Sequence, residues 1–597
     1  MPFGAEPLAA GGASFSLWAP AAGRVELVLT GGPQPGSIAM RPQGDGWYAA
    51  TVERAGAGTR YAFRIDGRPP VPDPASRFNP DGVHEPSRLV DPLAYAWHDG
   101  DWRGRPWHEA VVYELHVGTF TPAGTFAAAI ERLDHLASLG VTAVELMPVA
   151  AFSGRHGWGY DGVLLFAPHA AYGTPEELKA LVDAAHARGL MVLLDVVYNH
   201  LGPDGNYLHQ YAPQFLNPRH RTPWGAAVNF DGEASRTVRE FYIHNALYWL
   251  DEYRFDGLRL DAIHAIADDS RPHIVEELAQ AVRAGPGRAR HVHLVLENDL
   301  NQSRHLARAA RGATPLATAQ WNDDLHHAAH VLATGETDGY YADYAAEPLR
   351  LLGRALAEGF AYQGEPSPYR GGERRGEPSA QLPPLAFVDF LQTHDQVGNR
   401  ALGERLAHLA AEPPLRALAA CVLLAPAVPM LFMGEEFAAA SPFQYFCDFA
   451  GELARAVTDG RRGEFGRFER FADPKVRDRI PDPNDPATFA RSRLDWSECA
   501  QPAHAHWLAL HRELLAIRHR RLVPLLPRIG SGTFEVTAGG SLRVRWPVAG
   551  GGALHLLAHL AERPAPAGTP PPGETIYASH PGGDVLPAWS VQVSLQS

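Results

Sequence analysis

The chain has 597 residues, of which 45% are hydrophobic and 20% charged, and its formal net charge is −14 at pH 7. This length predicts two to four domains, because a single hydrophobic core rarely organises so long a chain. The acidic balance argues against nucleic acid or an anionic membrane as the main partner. The sequence contains no run of about 18 apolar residues, so no membrane span is predicted.

The cysteine content and the first residues bear on the compartment. The three cysteines, Cys421, Cys447 and Cys499, are too few for a disulfide framework, and their odd number favours a reducing environment. The start of the chain, Met-Pro-Phe-Gly-Ala-Glu-Pro-Leu, lacks the basic residues and the apolar run of a signal peptide. We therefore expect a cytoplasmic protein.

The first 85 residues have the pattern of an all-β domain. Short alternating runs, such as Val25-Glu-Leu-Val-Leu29 and Tyr61-Ala-Phe-Arg-Ile65, are separated by turns rich in glycine and proline. This spacing predicts an immunoglobulin-like β-sandwich over residues 1–85. Residues 86–106 are rich in proline, aspartate and arginine, and we expect them to form a packed connector.

From residue 107 the pattern changes to strand, helix, strand, which indicates an α/β domain. Eight such units within residues 107–500 predict a (β/α)₈ TIM barrel. Helical spacing of apolar residues predicts helices over 125–139 and 235–253. The predicted strands are 111–117, 142–148, 191–198, 257–263, 293–298, 318–322, 386–391 and 429–434.

Two long irregular segments interrupt the barrel pattern. Residues 199–234 follow the third predicted strand, and we expect a small subdomain over the barrel mouth. Residues 363–384 form a second polar loop, and loops of this length are usually functional or disordered. After the barrel, residues 501–597 predict a linking helix near 504–520 and then a β-sandwich, since five alternating runs follow the helix.

Charged residues stand at the ends of several apolar strands. In Gly257-Leu-Arg-Leu-Asp261, side chains alternate between faces, so Arg259 and Asp261 share the face opposite the leucines. The next predicted strand ends in Glu297. An isolated aspartate at a strand end is more often a turn or cap residue, but an inward charged pair is costly unless it has a function. Paired carboxylates at barrel strand ends are what a glycosidase uses.

Two further runs end in the same way. Met-Val-Leu-Leu-Asp195-Val-Val-Tyr-Asn-His200 carries an aspartate and ends in a histidine, and Phe-Val-Asp-Phe-Leu-Gln-Thr-His394-Asp395 ends in a histidine and an aspartate. Each histidine by itself could equally be a satisfied core residue.

These four segments, in this order and on these strands, closely resemble the four sequence blocks of the α-amylase superfamily. The resemblance implies that Asp261 is the nucleophile of a retaining reaction and that Glu297 is the general acid and base. It implies that Asp395 grips sugar hydroxyls and supports the transition state. Because a nucleophile must be ionised, the neighbouring cation of Arg259 suits Asp261.

The same resemblance implies a set of substrate-binding residues around the sugar that is cleaved. His200 and His394 would hydrogen-bond its hydroxyl groups, and Tyr160, in Trp-Gly-Tyr-Asp161, would stack under its ring. Arg259 and Asp195 belong to the same set, beside the nucleophile.

Segments outside the four blocks resemble one branch of the superfamily, the malto-oligosyltrehalose trehalohydrolases. These segments are 113–120, 319–324, 390–404, 431–436 and the 363–377 loop. The resemblance implies hydrolysis of the α-1,4-glucosidic bond next to a terminal α,α-trehalose unit, within trehalose biosynthesis from α-glucans. Trp321 and Asp324 are then the candidates for contacting the trehalose part. In one departure from the pattern, Asn298-Asp299 follows Glu297 where relatives often carry an acidic pair.

Alternatives remain at this point. A glycogen branching or debranching enzyme also places a β-sandwich before the barrel, and a catalytically inactive glycan-binding protein could use the same fold. Many α-amylases bind structural calcium through an asparagine near the first block, where Asn199 stands, but we expect no metal and no cofactor. The expected partners are malto-oligosyltrehalose and related α-glucan oligosaccharides; the sequence leaves chain-length preference and oligomeric state open.

Overall fold

The computed structural model describes residues 1–32, 35–222, 225–309, 312–467, 470 and 473–597. The N-terminal part forms two four-stranded antiparallel sheets, so the predicted sandwich is confirmed. Alternate side chains of its strands, such as Phe15 and Leu17, are buried between the sheets. One sheet contains Gly4–Pro7, Ala13–Trp18, Trp47–Val52 and Arg41–Gly44; the other contains Gly36–Ala39, Val25–Leu29, Arg60–Ile65 and Ser87–Arg88.

The middle of the chain forms a closed barrel of eight parallel strands, which confirms the predicted (β/α)₈ fold. We number its strands β1 Val112–Leu115, β2 Ala143–Leu146, β3 Met191–Val196, β4 Gly257–Leu260, β5 His293–Leu296, β6 Ala319–Trp321, β7 Phe387–Phe390 and β8 Val428–Phe432. They follow each other around the barrel in chain order, and β8 pairs with β1. Their residues are almost all buried, as expected where helices cover a parallel sheet.

Helices surround this barrel. The long ones are Pro175–His186, Ser235–Glu252, Ile274–Ala284, Asp323–Thr334, Pro348–Glu358, Glu412–Leu423, Gly451–Glu464 and Pro502–Ile517. Shorter ones are Val117–Phe120, His394–Gly398, Leu406–Leu409, Pro474–Arg477 and Pro486–Arg491. The prediction of a single helix over 125–139 is wrong. Phe126–Ile130 packs on Pro175–His186 while Leu133–Leu139 packs on Pro502–Ile517, so two separate partners orient the halves.

The two predicted excursions are both ordered where the structure describes them. Residues 199–234 contain short helical turns and a hairpin of Leu216–Thr222 with Gly225–Val228. They contact the N-terminal domain, where Phe215 packs edge-on against Trp18 at 5.6 Å. The 363–384 loop contains a small hairpin of Glu365–Pro366 with Arg374–Arg375.

The C-terminal part is a five-stranded antiparallel sheet accompanied by a two-stranded ribbon. The sheet order is Thr533–Val536, Leu542–Pro547, Ala553–His559, Ser590–Gln596 and Glu574–Ala578; the ribbon pairs Ala565–Pro566 with Val585–Leu586. The sheet packs on the barrel helix Pro348–Glu358, where the Trp546 indole donates to the Leu356 carbonyl at 3.0 Å. Within the described residues, no helix has both the length and the apolarity that crossing a membrane requires.

Candidate active site

The strand ends place the first catalytic candidates together at the carboxyl end of the barrel. Arg259 lies on β4, in register with Asp195 on β3, and it is 0% exposed because it points into the barrel. Asp261 and Glu297 follow the last residues of β4 and β5 directly. The alternation that predicted a shared face for Arg259 and Asp261 therefore holds, and the 2.8 Å contact between their side chains shows it.

Asp395 reaches the same end of the barrel by a different route. The sequence placed it at the end of the seventh strand, but β7 ends at Phe390 and Asp395 lies in the helix His394–Gly398. Thr393 begins that helix, and its hydroxyl accepts the backbone N–H of Asp395 at 3.2 Å. The predicted strand position of Asp395 is thereby corrected, because a capped helical turn and not a strand carries its carboxylate.

One guanidinium joins three carboxyl groups at the barrel centre. Arg259 donates to Asp195 at 2.8 Å and to Asp261 at 2.8 Å, and its other terminal nitrogen lies 2.9 Å from Glu297. Burial works against the charge of Arg259, but Asp195, Glu297 and Asp261 together raise its pKa well above the usual value. A fixed cation therefore lies between the carboxyl groups of Asp261 and Glu297.

This arrangement also constrains the spacing of the reactive pair. Asp261 and Glu297 contact neighbouring nitrogens of one planar group, so their carboxyl groups stand side by side.

The environment of Glu297 favours the protonated acid. Burial raises its pKa, and the nearby Asp261 carboxylate raises it further, against the opposing effect of Arg259. The backbone N–H of Ala262 donates to Glu297 at 2.8 Å and fixes its direction. Burial likewise raises the pKa of Asp395. A carboxyl group that keeps its proton near neutral pH is what a general acid requires.

Residues of the segment 195–200 hold Arg259 and Asp261 in place. The Tyr160 hydroxyl donates to Asp195 at 2.6 Å, so the aspartate links the tyrosine to Arg259. Asn199 donates its amide to the Asp261 carboxylate at 2.8 Å, and its amide oxygen contacts the His200 ring. Burial lowers the pKa of His200 to about 4, which leaves the imidazole neutral.

His394 is held by a residue that the sequence analysis missed. Glu114, on β1, accepts from the His394 ring at 2.5 Å and from its backbone N–H at 3.0 Å. Burial opposes the charge, but Glu114 and then Asp395 raise the pKa of His394 to about 9. Tyr160 stacks on the imidazole at 5.1 Å. The signal was present, because Glu114 interrupts the apolar first strand as Asp261 does the fourth.

The two residues proposed for the trehalose part are both buried at the end of β6 and the start of the helix that follows it. Trp321 is only 2% exposed and packs face-on under the Arg259 guanidinium at 4.1 Å, so its ring is covered. Asp324 is 0% exposed, and its oxygens already accept from Arg375 at 2.7 Å and Asn301 at 2.9 Å. In this structure Trp321 supports Arg259, and Asp324 anchors the 363–384 loop. Their contacts with the sugar stay predictions.

The neighbour of Asp324 does face the catalytic groups. Burial raises the pKa of Asp323 well above its usual value, and the Glu297 carboxyl is the largest nearby charge that adds to the effect. Gln396 donates to Asp323 at 3.2 Å, which connects it to the helix of Asp395. The sequence offered Asp323 and Asp324 as an adjacent pair, and only the direction of the helix that starts there distinguishes them.

A groove of about 760 Å³ lies beside the helix that carries Asp395, and Asn399 and Arg400 are among the residues that line it. Asn399, on its wall, donates to the Asp395 carboxylate at 3.0 Å. Arg400 is fixed in it by a two-point ion pair with Glu336, at 2.8 and 2.9 Å. Two tyrosines on the same wall are accessible, Tyr340 at 38% and Tyr369 at 49% exposure. Exposed aromatic rings beside fixed polar groups are typical of a site that binds a small molecule.

One group of possible metal ligands occurs among the described residues, away from this constellation. His220, Asp231 and Asp269 lie close together in and beside the hairpin of the 199–234 excursion. Asp231 is already bound by Arg219 at 2.9 Å and by Asn217 at 2.6 Å, so its charge is compensated without an ion. At the position where the superfamily pattern suggested calcium, the side chain of Asn199 is committed to Asp261.

Comparison with known protein families agrees with this architecture. Residues 2–92 match carbohydrate-binding module 48, described as the isoamylase N-terminal domain, and residues 81–222 match the α-amylase catalytic domain. Residues 530–593 match a domain of unknown function, DUF3459.

Similarity to individual proteins identifies the branch of the superfamily to which the chain belongs. A malto-oligosyltrehalose trehalohydrolase of Arthrobacter ramosus is 45% identical over 575 residues, which cover 94% of this chain and 95% of that protein. A crystal structure titled as a putative α-amylase from Salmonella typhimurium matches at 46% identity and a TM-score of 0.94, covering 100% of this chain and 99% of its own. By contrast, a 1,4-α-glucan branching enzyme of Streptomyces avermitilis is 36% identical over 42% of this chain and 45% of its own length. The chain belongs to the malto-oligosyltrehalose trehalohydrolase family, a group of glycoside hydrolases within the α-amylase superfamily.

Proposed function

We propose that this enzyme cleaves the α-1,4-glucosidic bond next to the terminal trehalose unit of malto-oligosyltrehalose, with retention, and releases trehalose. The observation that carries the chemistry is the contact of Arg259 with both Asp261 and Glu297. The substrate follows from the similarity to trehalohydrolases over nearly the whole chain.

The reaction proceeds in two displacements. Asp261 attacks the anomeric carbon, the bond to the leaving oxygen breaks, and its electron pair takes the proton of Glu297. Trehalose leaves, and a glucosyl ester on Asp261 remains. Water then gives a proton to Glu297 and attacks the same carbon, which restores both carboxyl groups and the α configuration.

The surrounding residues stabilise the charge that develops on the sugar. Asp395 is proposed to bind two ring hydroxyls and to support the oxocarbenium-like transition state. His394, charged through Glu114, and the neutral His200 are proposed to hydrogen-bond other hydroxyl groups of the same ring, with Tyr160 stacked beneath it. Arg259 and Asp195 hold the reactive carboxyl groups in place. Preorganised groups of this kind supply much of an enzyme's rate enhancement.

We propose Tyr340 and Tyr369 as contacts of the trehalose part, because they are exposed in the groove beside the helix that carries Asp395. Substitution of these two side chains tests the assignment directly. Replacing either tyrosine by alanine should lower kcat/KM for malto-oligosyltrehalose about tenfold more than for an equally long malto-oligosaccharide, equal to roughly 1.4 kcal/mol of discrimination. Tyr95→Ala, a change in the connector, serves as the control. Equal effects on the two substrates would contradict the assignment.

The substrate is tested by comparing those two oligosaccharides on the parent enzyme. Trehalose is a rigid, bent disaccharide without a free anomeric hydroxyl, so a site fitted to it leaves polar groups unpaired around maltose. Each unpaired buried group costs roughly 1–3 kcal/mol, and two such losses give on the order of a hundredfold preference in kcat/KM. Trehalose should be the small product, and no α-1,6 branch should form. Equal rates, or new branch points in amylose, would instead favour a branching enzyme.

We also propose a reducing compartment such as the cytoplasm. All three cysteines are free thiols, and Cys421 and Cys447 are buried. Disulfides are uncommon where thiols are kept reduced.

A further inference from the structure

A carboxyl group inside the barrel takes no part in the reaction described above. Glu145 lies on β2 in register with Glu114 on β1. Its neighbour Ala143 belongs to the apolar cluster in the barrel interior, so alternation turns Glu145 to the same side. It is 1% exposed, and no hydrogen-bond donor among the described residues reaches either of its carboxyl oxygens.

Four charged groups face this carboxyl group from the surrounding elements: Glu114 on β1, Asp195 on β3, Arg259 on β4 and His394 after β7. Each of the two carboxylates is already committed to a cation. Glu114 accepts from His394 at 2.5 Å, and Asp195 accepts from Arg259 at 2.8 Å. Arg259 has Asp261 as a further partner. The two cations are therefore already occupied by other carboxyl groups, and within the described part of the chain no ion pair of Arg259 or His394 involves Glu145.

A further buried negative charge at this point would be unfavourable. Burial raises the pKa of Glu145 well above its usual value, and the charges of Glu114 and Asp195 raise it further. If Glu145 were ionised, a further uncompensated negative charge would be buried beside these groups, and it would compete with them for the two cations. A neutral carboxylic acid instead brings a hydrogen-bond donor beside two acceptors.

We propose that Glu145 is a positioning residue which stays protonated and, as a neutral hydrogen-bond donor, holds Glu114 and Asp195 in place as the supports of His394 and Arg259. It acts through those residues and touches no substrate. The effect on activity rests on the function proposed for His394 and Arg259, whereas the protonation of Glu145 does not.

Two substitutions separate this role from alternatives. Glu145→Gln keeps the shape and a neutral donor, whereas Glu145→Leu keeps the bulk and removes the donor. We expect Glu145→Gln to retain kcat/KM within about threefold. We expect Glu145→Leu to lose about tenfold or more at an unchanged melting temperature, since a hydrogen bond to a charged group is lost. The acid limb of the pH–activity profile of Glu145→Leu should move to higher pH, because carboxylates that have lost a hydrogen-bond donor protonate more readily.

Glu435→Leu is a matched control. Glu435 is another buried carboxyl group, with a pKa raised by burial to about 8, and it lies outside the catalytic constellation. Its loss should leave the acid limb of the pH profile in place. If Glu145→Leu equals the parent enzyme, Glu145 only fills space and the proposal fails. If Glu145→Gln is as impaired as Glu145→Leu, an ionised Glu145 is required and the proposal fails as well.

Infrared difference spectroscopy of the parent enzyme against Glu145→Gln measures the protonation directly and needs no turnover. A carbonyl band in the region of protonated carboxylic acids should disappear in the variant. A band of the ionised carboxylate in its place would overturn the proposal, even if the substrate assignment were correct. Conversely, a protonated Glu145 in an enzyme inactive on malto-oligosyltrehalose would leave the proposal standing and overturn the function.

Discussion

Replacing Glu297 by glutamine tests the centre of the mechanism. Glutamine keeps the size of the side chain, and its amide oxygen can still accept the Ala262 N–H that now donates to Glu297 at 2.8 Å. It has no proton to give to the leaving oxygen. General acid catalysis contributes typically 10²–10⁴-fold, and a sugar alkoxide is a poor leaving group, so turnover of malto-oligosyltrehalose should fall toward the upper end of that range.

The pH dependence supplies an independent part of this prediction. The pKa of Glu297 is raised in the folded protein, first by burial and then by Asp261. The acid form therefore persists above the usual range of a glutamate, and activity of the parent enzyme should decline as the pH rises through that raised pKa. The parent's stability should weaken in the same direction, because the fold favours the protonated form. Glu297→Gln should lack this alkaline loss of stability.

The assay compares two substrates. A glycosyl fluoride leaves without protonation, so Glu297→Gln should still form the covalent intermediate from it and show no alkaline limb that depends on Glu297. The melting temperature at neutral pH should be equal to that of the parent or higher. Near-normal turnover of malto-oligosyltrehalose by the variant would refute the assignment of Glu297 as the acid.

Three further outcomes follow from the same geometry. Asp261→Asn should abolish the covalent intermediate while the fold persists; mass spectrometry of a trapped fluorosugar adduct in the parent enzyme should place the label on Asp261, and a label elsewhere would exclude it as nucleophile. Arg375→Ala leaves the buried Asp324 carboxylate without its 2.7 Å partner, so it should destabilise the protein by roughly 3–5 kcal/mol in denaturant unfolding; a change below about 1 kcal/mol would contradict the anchoring role. Exhaustive chelation should change neither activity nor melting temperature. A loss restored by calcium would reveal an ion, and its disappearance in Asp231→Asn would locate that ion in the hairpin.

Local pattern was sufficient to predict the barrel and the reactive pair. Side chains alternate with a period of two along a strand, so Arg259 and Asp261 had to share a face wherever the strand lay. Parallel strands of a barrel also end at one rim, which brings Asp261 and Glu297 together although they are far apart in sequence. These inferences need only the strand assignment, and strands rich in apolar residues are easily recognised.

The environment of each polar side chain depends on its burial, which the local sequence pattern does not reveal. Trp321 and Asp324 stand at a strand end, as a sugar contact should, but Trp321 packs under Arg259 and Asp324 is enclosed by the 363–384 loop. The start of the helix after β6 turns Asp323 toward the catalytic groups and Asp324 away from them. Asp323 and Asp324 are the same residue type and adjacent in the sequence, but the direction of the helix gives them different environments.

The remaining determinants are contacts between segments far apart in the chain. Glu114 and His394 are separated by 280 residues, yet their hydrogen bond keeps the histidine charged. Residues 125–139 form two helices because each half packs on another helix. The sequence by itself determined the barrel strands and the positions of Asp261 and Glu297 at the ends of two of them. Only the tertiary structure decided which carboxylates meet a cation, which meet each other and which are covered, because the energy of a buried charge depends on all the neighbours that the fold assembles around it.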